Sequence, residues 1–236
     1  MQSGFPPPTE SAINVVDLKK KYGEGDESTY ALRGVSFTIA KGEFVSISGP
    51  SGSGKSTLLN AIGALDRPSS GKIEIDGVDI SKLSSASLAE IRNRKIGFVF
   101  QDFNLITRMT ALENIELPLT LAGVPSKKRK ERAMALLEGF GIGKKAKSTP
   151  NQLSGGQRQR VAVARALANQ PTIIMADEPT GNLDSQNAKI TMDFLQKLHE
   201  DFGVTLIVIT HDPDVAARAQ RTIFMRDGQV EKVVVN

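Results

Sequence analysis

Nine residues limit this chain more than any other stretch: Gly49-Pro50-Ser51-Gly52-Ser53-Gly54-Lys55-Ser56-Thr57. They fit the pattern G-x-x-x-x-G-K-[ST], in which glycines let successive backbone N–H groups converge on phosphate oxygens. Such a loop needs a strand before it and a helix after it. Phe44–Ser48 is an apolar, strand-sized run, and Leu58, Leu59, Ile62 and Leu65 recur behind the loop on one helical face. The helix N-terminus points its dipole at the same anion. Lys55 would neutralise β/γ-phosphate charge, and the Ser56 hydroxyl would ligate Mg2+.

The surrounding texture agrees. Ile13–Leu18, Ala31–Ile39 and Glu43–Ser48 read as strands, separated by turn signals at Tyr22-Gly-Glu-Gly and Lys41-Gly42. Lys72–Ile75 is a further short strand that ends at Asp76-Gly77, and Ile96–Phe100 is another. Residues 102–170 change to helical patterns. Ala133, Leu136, Leu137 and Phe140 keep helical spacing up to Gly141, and a second helix runs from about Gly155 to Asn169. Alternation then resumes with strand Thr172–Ala176, a helix with Ile190, Phe194 and Leu198 on one side, and strands Val204–Ile209 and Thr222–Met225. Continuous apolar strands alternating with helices predict a buried, mostly parallel sheet. The expected organisation is a tail over 1–11 and one α/β domain over 12–236. That domain has a β-rich N-terminal layer and a helical subdomain inserted at about 102–170.

Composition narrows the class. The 236 residues are 39% hydrophobic and contain no cysteine. That is too apolar for a disordered chain, and it removes thiolate metal sites and cysteine nucleophiles. No apolar run reaches the ~18 residues of a membrane span. Met1–Pro8 carries neither the basic start nor the apolar core of a secretory leader. Lys+Arg 30 against Asp+Glu 26 gives a net charge of +4. The basic runs Lys19–Lys21, Lys127–Lys130 and Lys144–Lys147 read first as solvated faces and second as contacts to an anionic membrane surface. Nucleic acid is not expected, since no aromatic residues alternate with these runs to stack on bases.

A phosphate-binding loop needs a carboxylate to hold the metal, usually at the end of a neighbouring strand. Asp177 follows strand Thr172–Ala176 at once, and Glu178 is next. Two acids at the end of an apolar strand are costly unless cations or water use them. Asp177 is therefore assigned to Mg2+ through water, and Glu178 to polarising an attacking water as general base. Leu153-Ser154-Gly155-Gly156-Gln157 opens a helix with a second candidate anion nest. With one phosphate loop in the chain, that nest would serve a nucleotide held by another subunit.

Gly49–Thr57, Leu153–Gln157 and Ile173–Glu178, in this order and spacing, resemble the Walker A, signature and Walker B motifs of an ATP-binding cassette (ABC) ATPase. The resemblance spans about Ile13 to Val234. Gly97–Leu105, Thr110–Leu119 and Asp177–Ser185 are similar to the branch serving lipoprotein-release, macrolide-export and related permeases. The resemblance implies a P-loop NTPase core with an N-terminal antiparallel β subdomain and an inserted α-helical subdomain. It ends close to the last residue, which leads us to expect no C-terminal regulatory domain.

The family also implies roles residue by residue. Tyr22 would stack on adenine, and Gln101 would touch Mg2+ and the attacking water. Asp184 would communicate across a dimer, and His211 would contact the γ-phosphate. His199 has no such position and is expected on a helix surface. The implied ligands are ATP and Mg2+. The implied partners are a second copy, with Ser154, Gly155, Gly156 and Gln157 acting in trans, and an integral-membrane permease. The place would be cytoplasmic, on the inner face of the membrane. Two other readings stay open: a soluble ABC ATPase in nucleic-acid maintenance or translation, which usually has two cassettes or a long coiled coil, and a nucleotide-binding module without turnover, against which intact Glu178 and His211 argue.

Overall fold

A computed structural model describes residues 10–23 and 28–236. In chain order the strands and helices are β1 (Ser11–Tyr22), β2 (Thr29–Ala40), β3 (Phe44–Ser48), α1 (Lys55–Ile62), β4 (Ser70–Ile75), β5 (Val78–Asp79), α2 (Ser85–Lys95), β6 (Ile96–Phe100) and α3 (Ala111–Leu121). They continue as α4 (Ser126–Gly139), α5 (Gly155–Ala166), β7 (Ile173–Asp177), α6 (Ser185–Phe202), β8 (Thr205–Ile209), α7 (Pro213–Ala216), β9 (Arg221–Arg226) and β10 (Gln229–Val235). The chain divides into two units, Met1–Leu88 with Gly203–Asn236, and Ala89–Phe202.

The first unit holds an antiparallel sheet in the order β2-β1-β4-β5. Ile13, Val15, Leu18, Leu32, Val35, Ile39, Ile73 and Ile75 are buried on it. Each such side chain contributes about 1.5–3 kcal/mol by leaving water. The same unit sets β3 between β8 and β9, parallel to both, with Ile47 opposite Ile209 and Ile223, while β10 runs antiparallel to β9. Phe44, Val45 and Ile47 are buried, as are Leu206–Ile209. Their continuous apolar runs reflect a sheet covered on both faces. The buried polar residue of β3, Ser46, is satisfied by the Thr222 hydroxyl at 2.7 Å. Arg221 pairs with Glu43 and donates to the Thr38 carbonyl, which ties β9 to β2.

The second unit has the parallel pair β6–β7, most of α2, and the helices α3 to α6. Thr110 and Glu113 form a capping box at the start of α3. The wholly buried Asn114 holds the preceding turn, accepting from Ile106 N–H and donating to the carbonyls of Ile106, Met109 and Thr110. α4 ends as its spacing predicts, with Gly141 in the left-handed conformation at φ +68°.

Several expectations need correction. α1 stops at Ile62, because Gly63 and the left-handed Ala64 end it, so Leu65 lies outside the helix and is 44% exposed. α5 stops at Ala166, short of Asn169, and Asn169 instead hydrogen-bonds Asn93 and the Pro118 carbonyl. The buried face of α6 is Thr191, Met192, Leu195 and Leu198. Phe194 stands beside that face and stacks on Phe140 at 4.2 Å between centroids. The run Lys19–Lys21 is not a free solvated face: its side chains are half-buried, and Lys20 pairs with Asp66 at 2.7 Å. The other two runs do expose lysines, at Lys127, Lys128 and Lys130 and at Lys144, Lys145 and Lys147. His199 is half-buried on α6. The tail expected over 1–11 lies outside the described residues up to residue 9, and Ser11 opens β1. The turn expected at Tyr22–Gly25 runs outside them after Gly23. The short β5, α2 and β10 carried no expectation.

Candidate functional site

The phosphate loop leaves β3 after Ser48 and turns through Gly49, Gly52 and Gly54, with φ of +150°, +78° and +96°. No L side chain adopts these angles without strain. A Cβ at Gly54 would also meet the Ala31 carbonyl at 2.6 Å, and one at Gly49 would collide with the Met225 carbonyl. Gly54 caps α1 without any side-chain hydrogen bond. The first-turn N–H groups of α1 therefore keep their donors for the loop side. Lys55 lies back across the loop, its Nζ 2.8 Å from the carbonyls of both Gly49 and Pro50. Ser53 is 2% exposed, and its Oγ has no hydrogen-bond partner among the described residues. Pro50, Ser51, Gly52 and Ser56 are exposed along the loop, and Thr57 is half-buried. A loop with uncapped donors, a cation drawn into it and an unsatisfied hydroxyl fits a phosphate chain.

Tyr22 ends β1 and is 46% exposed. Its hydroxyl donates to Asp66 Oδ2 at 2.9 Å, while Lys20 Nζ donates to Asp66 Oδ1 at 2.7 Å and stands 4.9 Å from the ring centroid. Lys20 thus occupies one ring face by a cation–π contact. Burial raises the phenol's pKa, and the Asp66 hydrogen bond adds to it. Thr57, the loop's last residue, acts on the phenol in the opposite direction. At Asp66 burial alone would raise the carboxyl, but hydrogen bonds from Lys20, Tyr22 and the Arg67 N–H outweigh it and lower the pKa.

His211 is exposed just past β8, whose residue Ile209 lies opposite Ile47 of β3. His211 and the phosphate loop therefore leave the same carboxyl edge of two adjacent parallel strands, the edge where α/β sheets bind ligands. Thr210 is buried beneath the turn: its N–H donates to the Ile47 carbonyl and its Oγ accepts from Asp212 N–H at 3.0 Å. Asp212 then caps α7.

Gln101, Ser154–Gln157, Asp177, Glu178 and Asp184 belong to the second unit. Phe100 pairs with Asp177 in the β6–β7 register, so Gln101 and Glu178 each follow the paired ends of neighbouring strands. Glu178 takes a left-handed backbone, φ +46°. Asn182 bridges the two chain exits: its Nδ2 donates to the Gln101 carbonyl at 3.2 Å and to Asp102 Oδ1 at 2.7 Å. Gln101 Nε2 faces Asn182 Oδ1 at 3.5 Å.

Ser154 caps α5. Its Oγ accepts from Gln157 N–H at 3.3 Å, while Gln157 Oε1 accepts from Ser154 N–H at 3.0 Å. Gly156 is buried against Asn187, leaving no room for a Cβ. Asn187 in turn donates its N–H and Nδ2 to the two Asp184 oxygens, each at 2.8 Å. The Asn187 N–H, then its side chain, lower the Asp184 pKa. The residue expected to signal across a dimer is thereby linked to the helix that starts at Ser154.

Lys20, Asp66, Gln159, Asn182 and Asn187 did not emerge from sequence reasoning. One had a readable signal: Gln159 sits at i, i+3, i+7 with Gly156 and Val163, a polar residue on a buried helical face.

A family model described as ABC transporter matches residues 32–181. An uncharacterized ABC transporter ATP-binding protein of Thermotoga maritima is 52% identical over 224 residues, which is 95% of each chain. A macrolide export ATP-binding/permease protein, MacB, of Syntrophobacter fumaroxidans is 50% identical over 93% of this chain, which spans 31% of that larger protein. Among solved structures, the dimeric post-hydrolysis state of the ATP-binding cassette MJ0796 of Methanocaldococcus jannaschii, bound to ADP and Pi, matches with TM-score 0.88 and 48% identity. That match covers 94% of this chain and 98% of the other.

Proposed function

This chain belongs to the ABC transporter family of ATP-binding proteins, and on that premise we propose that it is the ATP-hydrolysing subunit of a membrane export or lipoprotein-release complex. The observation that carries the reading is the phosphate loop, with uncapped helix N–H groups behind it and Lys55 drawn across it. Gly49–Thr57 would wrap the triphosphate, Lys55 would exchange its loop carbonyls for β/γ-phosphate oxygens, and adenine would stack on the face of Tyr22 opposite Lys20. Among the described residues no three His, Cys, Asp or Glu side chains group as a metal cage. The oxygen donors of Ser56, Gln101 and, through water, Asp177 suit Mg2+, which prefers few protein ligands beside phosphate and water. When bound, Mg2+ would neutralise phosphate charge.

Glu178 would accept a proton from water as the water oxygen bonds to the γ-phosphorus and the bond to the β-phosphate oxygen breaks, yielding ADP and phosphate. His211 would hold the γ-phosphate, and Gln101 would orient the water. Two copies would enclose two nucleotides, each between the phosphate loop of one chain and Ser154–Gln157 of the other. Asp184 would relay across that dimer. Closure would depend on the γ-phosphate and would open on hydrolysis. The helical insertion at about 102–170 would pass that motion to a permease. Among the described residues no helix is long and apolar enough to cross a membrane, so the permease would hold the chain at the inner membrane face.

Phosphate release and light scattering test the reading together. Wild type should hydrolyse ATP-Mg2+. Glu178→Gln should lose about 10²–10⁴-fold in kcat, the worth of a positioned general base, yet bind ATP and persist as a dimer. A chain that binds ATP but releases no phosphate, even with its permease, is instead a regulatory module.

A further inference from the structure

Gln159 belongs to none of the groups assigned above. It is 0% exposed, in the second turn of α5, behind the capping box of Ser154 and Gln157. A primary amide brings two N–H donors and a carbonyl into whatever space it fills. Here Nε2 donates to the Pro179 carbonyl at 2.8 Å, and the buried Oε1 has no hydrogen-bond partner among the described residues. An unsatisfied oxygen makes this amide a worse filler than a thioether of the same length. Packing therefore does not account for it.

The residue it reaches does. Pro179 follows Glu178, whose φ of +46° lies in the left-handed region that a non-glycine residue holds only when its surroundings impose it. Glu178-Pro179-Thr180-Gly181 is a tight turn closed by Gly181 N–H on the Glu178 carbonyl at 3.0 Å. Gln159 grips that turn by the carbonyl of its second residue. Farther along the same segment, Asn187 packs on Gly156 and is held by Asp184. Residues 178–187 are thus attached at both ends to the first two turns of α5.

We infer that Gln159 is a positioning residue that locks the Glu178 turn to the helix beginning at Ser154. This rests on the proposed function and deepens it. Ser154–Gln157 serves the nucleotide of the partner copy, whereas Glu178 serves the nucleotide of its own chain. A displacement of α5 by one nucleotide moves the acid acting on the other, and the Gln159 amide carries that displacement. The two sites of the dimer are coupled through it.

The full chain with Gln159→Met tests this. Methionine matches the length, removes the donor and removes the unsatisfied oxygen with it. The unsatisfied Oε1 is lost while the Pro179 carbonyl loses its donor, so the two changes offset and the melting temperature should stay within about 5 °C of wild type. With KM for ATP within about twofold of wild type, kcat should fall by at least about tenfold. The Hill coefficient for ATP should exceed 1 in wild type and fall toward 1 in the variant. Gln159→Asn keeps the amide but withdraws it by a methylene, and should lose kcat in the same way. Wild-type kcat and Hill coefficient in the Met variant overturn the inference, as does a fall in its melting temperature of more than about 5 °C, which would assign Gln159 to packing. A wild-type chain that hydrolyses no ATP refutes the ATPase reading itself, and this inference with it. A hydrolysing wild type beside an unaffected Met variant refutes the inference alone.

Discussion

The helices α1 and α5 both begin at glycine-rich elements, yet their N-termini are built in opposite ways. α1 starts at the left-handed Gly54, which offers no side-chain cap, and its donors face a loop of strained glycines. α5 starts at Ser154, whose side chain and that of Gln157 satisfy each other's backbone N–H. An uncapped N-terminus backed by a lysine binds an anion unaided, because its N–H groups lack acceptors and the dipole adds to a full charge. A capped N-terminus has settled part of that demand within the chain. It retains only the amides of Gly155 and Gly156, which no helix interior can accept. The contrast supports the proposal that the first binds nucleotide directly and that the other completes the site from a second copy.

The largest effect on nucleotide affinity should come from Lys55→Ala. Removing a charge-assisted hydrogen bond of about 1.5–3 kcal/mol should weaken ATP binding roughly 10–100-fold by calorimetry. Unchanged affinity would erase the distinction between the two helix starts. Ser154→Arg, made in the Glu178→Gln background, should abolish the ATP-dependent dimer in light scattering while the single chain binds ATP as before. Equal dimer formation would show that α5 does not act in trans. Ser154→Ala should cost about 1 kcal/mol through the lost cap, a drop of roughly 2–4 °C in melting temperature. A loss of that size at α1, which has no side-chain cap, has no counterpart.

The smallest effect is pH-dependent and concerns Asp66. Its folded pKa lies below the unfolded value of about 3.9, so its contribution is present above that value and lost as pH falls through the folded one. The melting difference between wild type and Asp66→Asn should therefore be greatest near neutral pH and vanish on acidification. A difference that persists in acid would show that Asp66 acts through shape and not through its charge on Lys20 and Tyr22.

What the sequence disclosed and what it withheld follow from range. The phosphate loop, the strand Ile96–Phe100 and the end of α4 at Gly141 are written in consecutive residues, and all were legible. The face of α6 was read one residue off, because Phe194 is apolar for a different neighbour, Phe140. Lys20 and Asp66 stand 46 residues apart, and Asn182 reaches Gln101 across 81. No local pattern encodes such pairs. Lys20 looked like one of three surface lysines until the fold brought a carboxylate to it. Gln159 was the exception, legible as a misfit on a buried face.

The resting position of Lys55 carries one more consequence. Its ammonium already has two oxygen neighbours in the loop, so on the proposed reading nucleotide arrival would be an exchange of acceptors. The loop would then keep its form between turnovers, and capture of fresh ATP would not wait for the backbone to reorganise. The heat released on binding should be correspondingly modest, since the incoming oxygens replace contacts that the lysine surrenders.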